Sequence, residues 1–183
     1  MRTTLPFELD EEGFIKNIKQ LVSPNFKKRT KKIAVELLVI HSISMPPDKF
    51  GGDNIEKLFT NKLDFDEHKF YKTIRDIKVS AHFLIKRDGE LIQFVSCHNI
   101  AWHAGESEWN GKKKCNDFSI GIELEGSDKV KFTDIQYEKL NELLQFLRDQ
   151  YPIKDIVGHN DIAPNRKTDP GPYFKWNKIK DNL

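Results

Sequence analysis

Ala81-His82-Phe83-Leu84-Ile85 and Leu91-Ile92-Gln93-Phe94-Val95, joined by Lys86-Arg87-Asp88-Gly89-Glu90, form the stretch whose reading decides the fold. Two apolar runs separated by a short connection carrying Asp-Gly predict a β-hairpin, because that dipeptide adopts the backbone conformations a tight reversal needs. A hairpin is antiparallel. Upstream, Glu36-Leu37-Leu38-Val39-Ile40 reads as a buried strand that reaches His41 before the turn-forming Met45-Pro46-Pro47. Downstream, Phe118-Ser119-Ile120-Gly121-Ile122-Glu123-Leu124 is a further strand, and Asp155-Ile156-Val157 is the last.

Between these last two strands lies the clearest helix. Thr133 with Gln136 three residues on is a capping box, and Tyr137, Leu140, Leu144, Leu147 and Tyr151 step by three and four before Pro152. Shorter helical patterns occur near Ile55–Phe59 and Asp66–Ile74, and the spacing of Phe14, Ile15, Ile18, Leu21 and Val22 predicts a short amphipathic helix over residues 10–22. Strands alternating with helices, one adjacent pair being a hairpin, indicate an α/β chain with a mixed sheet flanked by helices, not a doubly wound parallel sheet. No repeat or linker interrupts it, so a single domain is expected.

The 183 residues, 38% of them hydrophobic, suffice for one core and fall short of the size at which cores divide. A net charge of +2 disfavours non-specific binding to nucleic acid or anionic membranes. The run Phe26–Lys32 is basic, but five charges around one aromatic read more simply as a solvated loop. Cys97 and Cys115 are too few for a disulfide scaffold and lack zinc-knuckle spacing, so reduced thiols are expected. The N-terminal stretch has no apolar signal region and no run is long enough to span a membrane, which makes a cytoplasmic setting the expectation.

His41 and His159 each follow an apolar strand, and Asp169 comes ten residues after His159 in Lys167-Thr168-Asp169-Pro170-Gly171-Pro172, where prolines restrict the backbone around one carboxylate. Two imidazoles and a carboxylate leave tetrahedral Zn2+ an open fourth position, the arrangement of catalytic sites. On the strand 118–124, Ile120, Ile122 and Leu124 share one face and Ser119, Gly121 and Glu123 the other. If that second face meets solvent, Glu123 is an ordinary surface charge; if it lines the metal pocket, Glu123 is placed to act as general base towards water. Lys167 is either a surface cation or, two residues from Asp169 along extended chain, a stabiliser of a carbonyl oxyanion. Trp102-His103-Ala104-Gly105 suggests a groove-lining loop in which an indole packs on a sugar face, a core tryptophan being the competing reading.

Val39-Ile40-His41, Val79-Ser80-Ala81-His82, Ala101–Gly105, Asn116–Gly126 and Gly158–Pro164 through Lys167–Pro172 together resemble the type 2 N-acetylmuramoyl-L-alanine amidases of the peptidoglycan-recognition fold. Within that family they look like its cytoplasmic branch, which acts on 1,6-anhydro-N-acetylmuramyl-L-alanine peptides in peptidoglycan recycling. The similarity runs from about Ile33 to Phe174. It implies a zinc amidase domain over 33–183 preceded by an N-terminal extension over 1–32 that packs on it. It further implies zinc on His41, His159 and Asp169, with Glu123 as catalytic acid/base and Lys167 as electrophilic stabiliser.

Aspartate as third ligand separates the chain from related phage lysozyme-type amidases and catalytic recognition proteins, which use cysteine. Two positions depart from the family pattern: Ser42, where asparagine is common, and Lys78, where arginine is common. Both are candidate substrate contacts beside Trp102, His103 and Arg166, with Arg166 and Lys78 suited to substrate carboxylates. The implied partner is a small anhydro-muropeptide, with no nucleic acid and no membrane. The competing functions are a lytic amidase on polymeric peptidoglycan and a muropeptide sensor that binds without cleaving.

Overall fold

The computed structural model describes residues 7–30 and 32–180. Among the described residues, ten strands and four α-helices follow one another, and six of the strands form one mixed sheet. In chain order the strands are β1 (Lys19–Gln20), β2 (Phe26–Lys28), β3 (Leu37–Ile43), β4 (Phe83–Ile85), β5 (Leu91–Gln93), β6 (Asn99–Ala101), β7 (Glu108–Trp109), β8 (Lys112–Lys113), β9 (Ser119–Glu125) and β10 (Asp155–Gly158). The helices are α1 (Asn54–Phe59), α2 (Lys69–Thr73), α3 (Asp134–Gln150) and α4 (His159–Ile162). The main sheet runs β1-β5-β4-β9-β3-β10, and only the hairpin pair β4–β5 is antiparallel. Lys86 and Glu90 close that hairpin, with the Lys86 N–H donating to the Glu90 carbonyl at 2.9 Å.

Both faces of the sheet are covered, which is why its central strands read as continuous apolar runs rather than alternating ones. Leu38, Ile40, Phe83, Ile85, Ile120, Ile122 and Leu124 pack against the apolar stripe of α3, chiefly Tyr137, Leu140, Leu144 and Leu147. Each fully buried leucine there is worth roughly 1.5–3 kcal/mol of transfer free energy. On the other face, Leu84 and Ile92 pack with Ile55, Leu58, Phe59 and Tyr71 of α1 and α2. The capping box forms as expected: the Gln136 N–H donates to Thr133 Oγ1 at 3.3 Å and the Thr133 N–H to Gln136 Oε1 at 3.0 Å. The Gln136 amide also donates to the Ile85 and Glu125 carbonyls, pinning the start of α3 to the ends of β4 and β9.

Two expectations are overturned. Residues 10–22 form no helix: the chain turns, makes a β-bridge from Leu9 to Ile15 and enters the sheet as β1. Asp10 Oδ1 accepts the Glu12 and Phe14 N–H groups at 3.0 and 2.8 Å, and Gly13 takes a left-handed φ of +86°, both incompatible with continuous helix. Ile15 is fully buried while Val22 is 63% exposed, so the apolar positions do not share one face. The basic run is not simply a solvated loop either. Phe26–Lys28 pairs with β6, and the Arg29 guanidinium turns inward to the carbonyls of Asn99, Asp117 and Ser119. Lys31 lies outside the described residues. Cys97 and Cys115 are free and buried, and no helix among the described residues is long and apolar enough to cross a membrane.

Candidate active site

Parallel register brings the candidate residues together. His41 on β3 lies directly beside Glu123 on β9, and Glu123 beside Leu84 on β4. On the other side of β3, Gly158 of β10 pairs with Ile40, so the next residue, His159, emerges beside His41 as the first residue of α4. These are the C-terminal ends of parallel strands, where open α/β sheets carry their sites. The Asp169 loop is tied back to α4 by the Asn160 N–H, which donates to the Asp169 carbonyl at 2.9 Å.

His41 Nδ1 lies 3.0 Å from His159 Nδ1, and Asp169 Oδ2 lies 3.1 Å from each. His159 Nε2 faces the Ala104 carbonyl at 3.1 Å and must donate to it, which leaves His159 Nδ1 as a bare lone pair aimed at a carboxylate oxygen and a second imidazole. Such a cluster of acceptors calls for a cation. Tetrahedral zinc with bonds of about 2.0–2.1 Å needs ligand atoms about 3.3 Å apart, close to the spacing seen. The residues therefore fit a zinc ion, and the three form a possible metal site. Burial pulls the His41 pKa down, which suits a neutral ligand, although Asp169 opposes the shift. Burial disfavours the Asp169 carboxylate, but the His159 and His41 imidazoles set against it outweigh burial and hold its pKa well below the usual range.

Glu123 is 9% exposed and its Oε2 is buried without a hydrogen-bond partner. Desolvation first, and then the Asp169 charge, push its pKa well above the usual carboxylate value against the pull of Lys167. The solvent-facing alternative for Glu123 is thereby excluded. A cavity of about 530 Å³ opens over the cluster, lined by His41, Ser42, Trp102, His103, Glu123, His159, Arg166, Lys167 and Asp169, with Met45, Leu58, Phe59, Phe70 and Ile74 as an apolar wall.

Of the candidate substrate contacts, Ser42, Trp102, His103 and Arg166 line this cavity. Arg166 is already engaged, its Nη2 donating to the Ala104 and Glu106 carbonyls at 2.7 Å each. Lys78 is exposed and lies outside the lining, between Ile77 and Val79, which belong to it. Sequence reasoning missed the rim, where Thr168 donates to Asp128 at 2.7 Å and Lys129 pairs with Asp48 at 2.6 Å. The turn residues 126–129 gave no chemical signal by themselves.

Fold, register and the His-His-Asp cluster beside a buried glutamate define the class: the chain belongs to the N-acetylmuramoyl-L-alanine amidase family, which it matches over residues 30–172. More particularly, it is 47% identical over 172 residues to the 1,6-anhydro-N-acetylmuramyl-L-alanine amidase AmpD of Escherichia coli K12, covering 93% of this chain and 94% of that protein. A crystal structure of a selenomethionine derivative of AmpD superimposes with a TM-score of 0.91 at 46% identity, covering 94% of this chain and 97% of that one. The Escherichia coli amidase AmiD, solved in complex with the substrate anhydro-N-acetylmuramic acid-L-Ala-D-γ-Glu-L-Lys, is similar at 29% identity and a TM-score of 0.58, over 93% of this chain and 63% of that one.

Proposed function

We propose that this chain is a zinc-dependent amidase that hydrolyses the bond between the lactyl group of 1,6-anhydro-N-acetylmuramic acid and L-alanine of the stem peptide, acting on cytoplasmic fragments in peptidoglycan recycling. The convergence of three ligand atoms with an unpartnered Glu123 carboxylate at one end of the sheet carries this reading. His41, His159 and Asp169 hold the metal. Zinc, when bound, supplies the Lewis acidity that makes water nucleophilic near neutral pH and polarises the scissile carbonyl.

Glu123 takes the proton of the attacking water. Its buried setting makes it a stronger base than an ordinary carboxylate, and the same setting keeps the protonated form available for the return step. Lys167 balances the negative charge that develops on the carbonyl oxygen. Glu123 then delivers its proton to the alanine nitrogen, the C–N bond breaks, and the peptide leaves with a free amino terminus. Ser42 and Trp102 contact the substrate, with Arg166 in the cavity wall as a cationic partner for its carboxylates.

Incubation of the zinc-loaded protein with an anhydro-muropeptide, followed by mass spectrometry, tests this. Free stem peptide and the anhydro-sugar acid are the expected products. Unchanged substrate bound to the protein would replace the amidase with a sensor, and efficient digestion of intact sacculi would replace recycling with wall lysis.

A further inference from the structure

The imidazole nitrogens of His41 and His159 that point away from the metal cluster end on two successive residues. His41 Nε2 lies 2.9 Å from His103 Nδ1, and His159 Nε2 lies 3.1 Å from the Ala104 carbonyl oxygen. With the His41 Nδ1 lone pair given to a metal, Nε2 carries the proton and donates to His103 Nδ1. His103 Nε2 then carries the second proton and faces Ser119 Oγ at 3.2 Å. The donors run in one direction, away from the cluster.

The segment is itself fixed. Asn116 Oδ1 accepts the N–H groups of both His103 and Ala104, at 3.2 and 2.8 Å. The space for the His103 ring exists because residue 121 has no side chain: a Cβ on Gly121 would fall 2.4 Å from His103 Cγ. The His41 and His103 rings meet edge to face, with centroids 5.0 Å apart.

We propose that His103 is a positioning residue for the metal site, its Nδ1 holding the His41 imidazole in the tautomer and orientation that present Nδ1 to zinc, with the Ala104 carbonyl doing the same for His159. Metal-bound histidines commonly hand their second N–H to a carbonyl, carboxylate or water, as His159 does here; His41 hands its own to another imidazole. His103 thus acts through His41 rather than on substrate. This rests on the zinc reading above, and the experiment separates the two.

The test is zinc affinity, measured by competition with a chromogenic chelator, for the wild type, His103→Leu, His103→Asn and Ser119→Ala. Leucine fills much of the ring's volume without an acceptor, and asparagine restores an acceptor oxygen near the Nδ1 position. His103→Leu should bind zinc about 10–100-fold more weakly, the range typical for loss of such a partner, and His103→Asn should recover most of the loss. Ser119→Ala, a conservative change at the far end of the chain of donors, should weaken binding to a smaller extent and supplies the answer should the leucine variant not fold. Wild-type affinity in both His103→Leu and Ser119→Ala would overturn the positioning role, as would equal weakening in the leucine and asparagine variants. A wild type that binds no zinc would instead overturn the metal reading itself.

Discussion

Protonating His82 should cost this fold about 2 kcal/mol between pH 7.5 and pH 5. The imidazole is fully buried and both nitrogens are committed: Nδ1 accepts the Gly121 N–H and Nε2 donates to the Asn99 carbonyl, each at 3.1 Å. Its backbone carbonyl accepts the Phe94 N–H at 2.9 Å and its backbone N–H donates to the Gly121 carbonyl at 3.0 Å, so the residue joins β9, the β4–β5 hairpin and β6. A second proton has no place on Nδ1 without breaking the Gly121 bond. Burial first, and then the Arg29 charge, lower the pKa to about 3. In the unfolded chain it returns to about 6.5.

The unfolded state therefore binds the proton more readily, and the stability present above pH 6.5 is lost as pH falls towards 3. The slope approaches about 1.4 kcal/mol per pH unit inside that window, and the integrated loss at pH 5 is set mainly by the unfolded pKa, since the folded value lies well below. Urea denaturation of the metal-free wild type and His82→Asn, followed by tryptophan fluorescence from pH 7.5 to 5, reads the effect as a difference of two profiles. Asparagine keeps an acceptor for Gly121 but does not titrate, so its constant penalty drops out of the comparison. The wild type should lose about 2 kcal/mol more than the variant over this range. A difference that stays flat would refute the claim that His82 is held neutral by burial.

Glu123→Gln should retain zinc and thermal stability while kcat falls ~10²–10⁴-fold with little change in KM, read from steady-state kinetics; near-normal turnover would remove Glu123 from the chemistry. Neither cysteine should react with a disulfide reagent in the folded protein, since both are buried and desolvation pushes the Cys97 thiol up to about 12. Prompt labelling under native conditions would contradict that packing, whereas denaturant should release both thiols. On the proposed reading, kcat/KM for muropeptides carrying the same stem should favour the anhydro sugar, with Trp102, which lines the cavity, as the wall that would exclude the reducing form. Equal values would return the chain to the lytic reading.

The residues of the candidate site were legible where they stand at a strand end or in a stiff loop. His41 and His159 stand at the ends of apolar runs, Asp169 sits between restricting residues, and the in-register parallel pairing of β3, β9 and β10 does the rest. The hairpin and the long helix were legible because Asp88-Gly89 and Thr133–Gln136 signal through short-range hydrogen bonds, backbone to backbone in the turn and side chain to backbone in the cap. The N-terminal segment misled because its apolar spacing imitates a helix, while the deciding forces are tertiary: the Ile15 N–H donates to Gln93 Oε1 at 2.8 Å, 78 residues away. The bond between His41 and His103, 62 residues apart, was equally hidden. From sequence, His103 reads as a groove residue, because nothing local reveals that Gly121 leaves room for its ring beside a metal ligand.

Titration of metal-free protein with zinc, recording bound metal and hydrolysis of an anhydro-muropeptide on the same samples, addresses the central claim most directly. Activity should rise in proportion to bound zinc and stop at one ion per chain, and His41→Ala, His159→Ala and Asp169→Ala should each lose metal and turnover together. Turnover independent of bound zinc, or a full complement of zinc with full activity in Asp169→Ala, would contradict it.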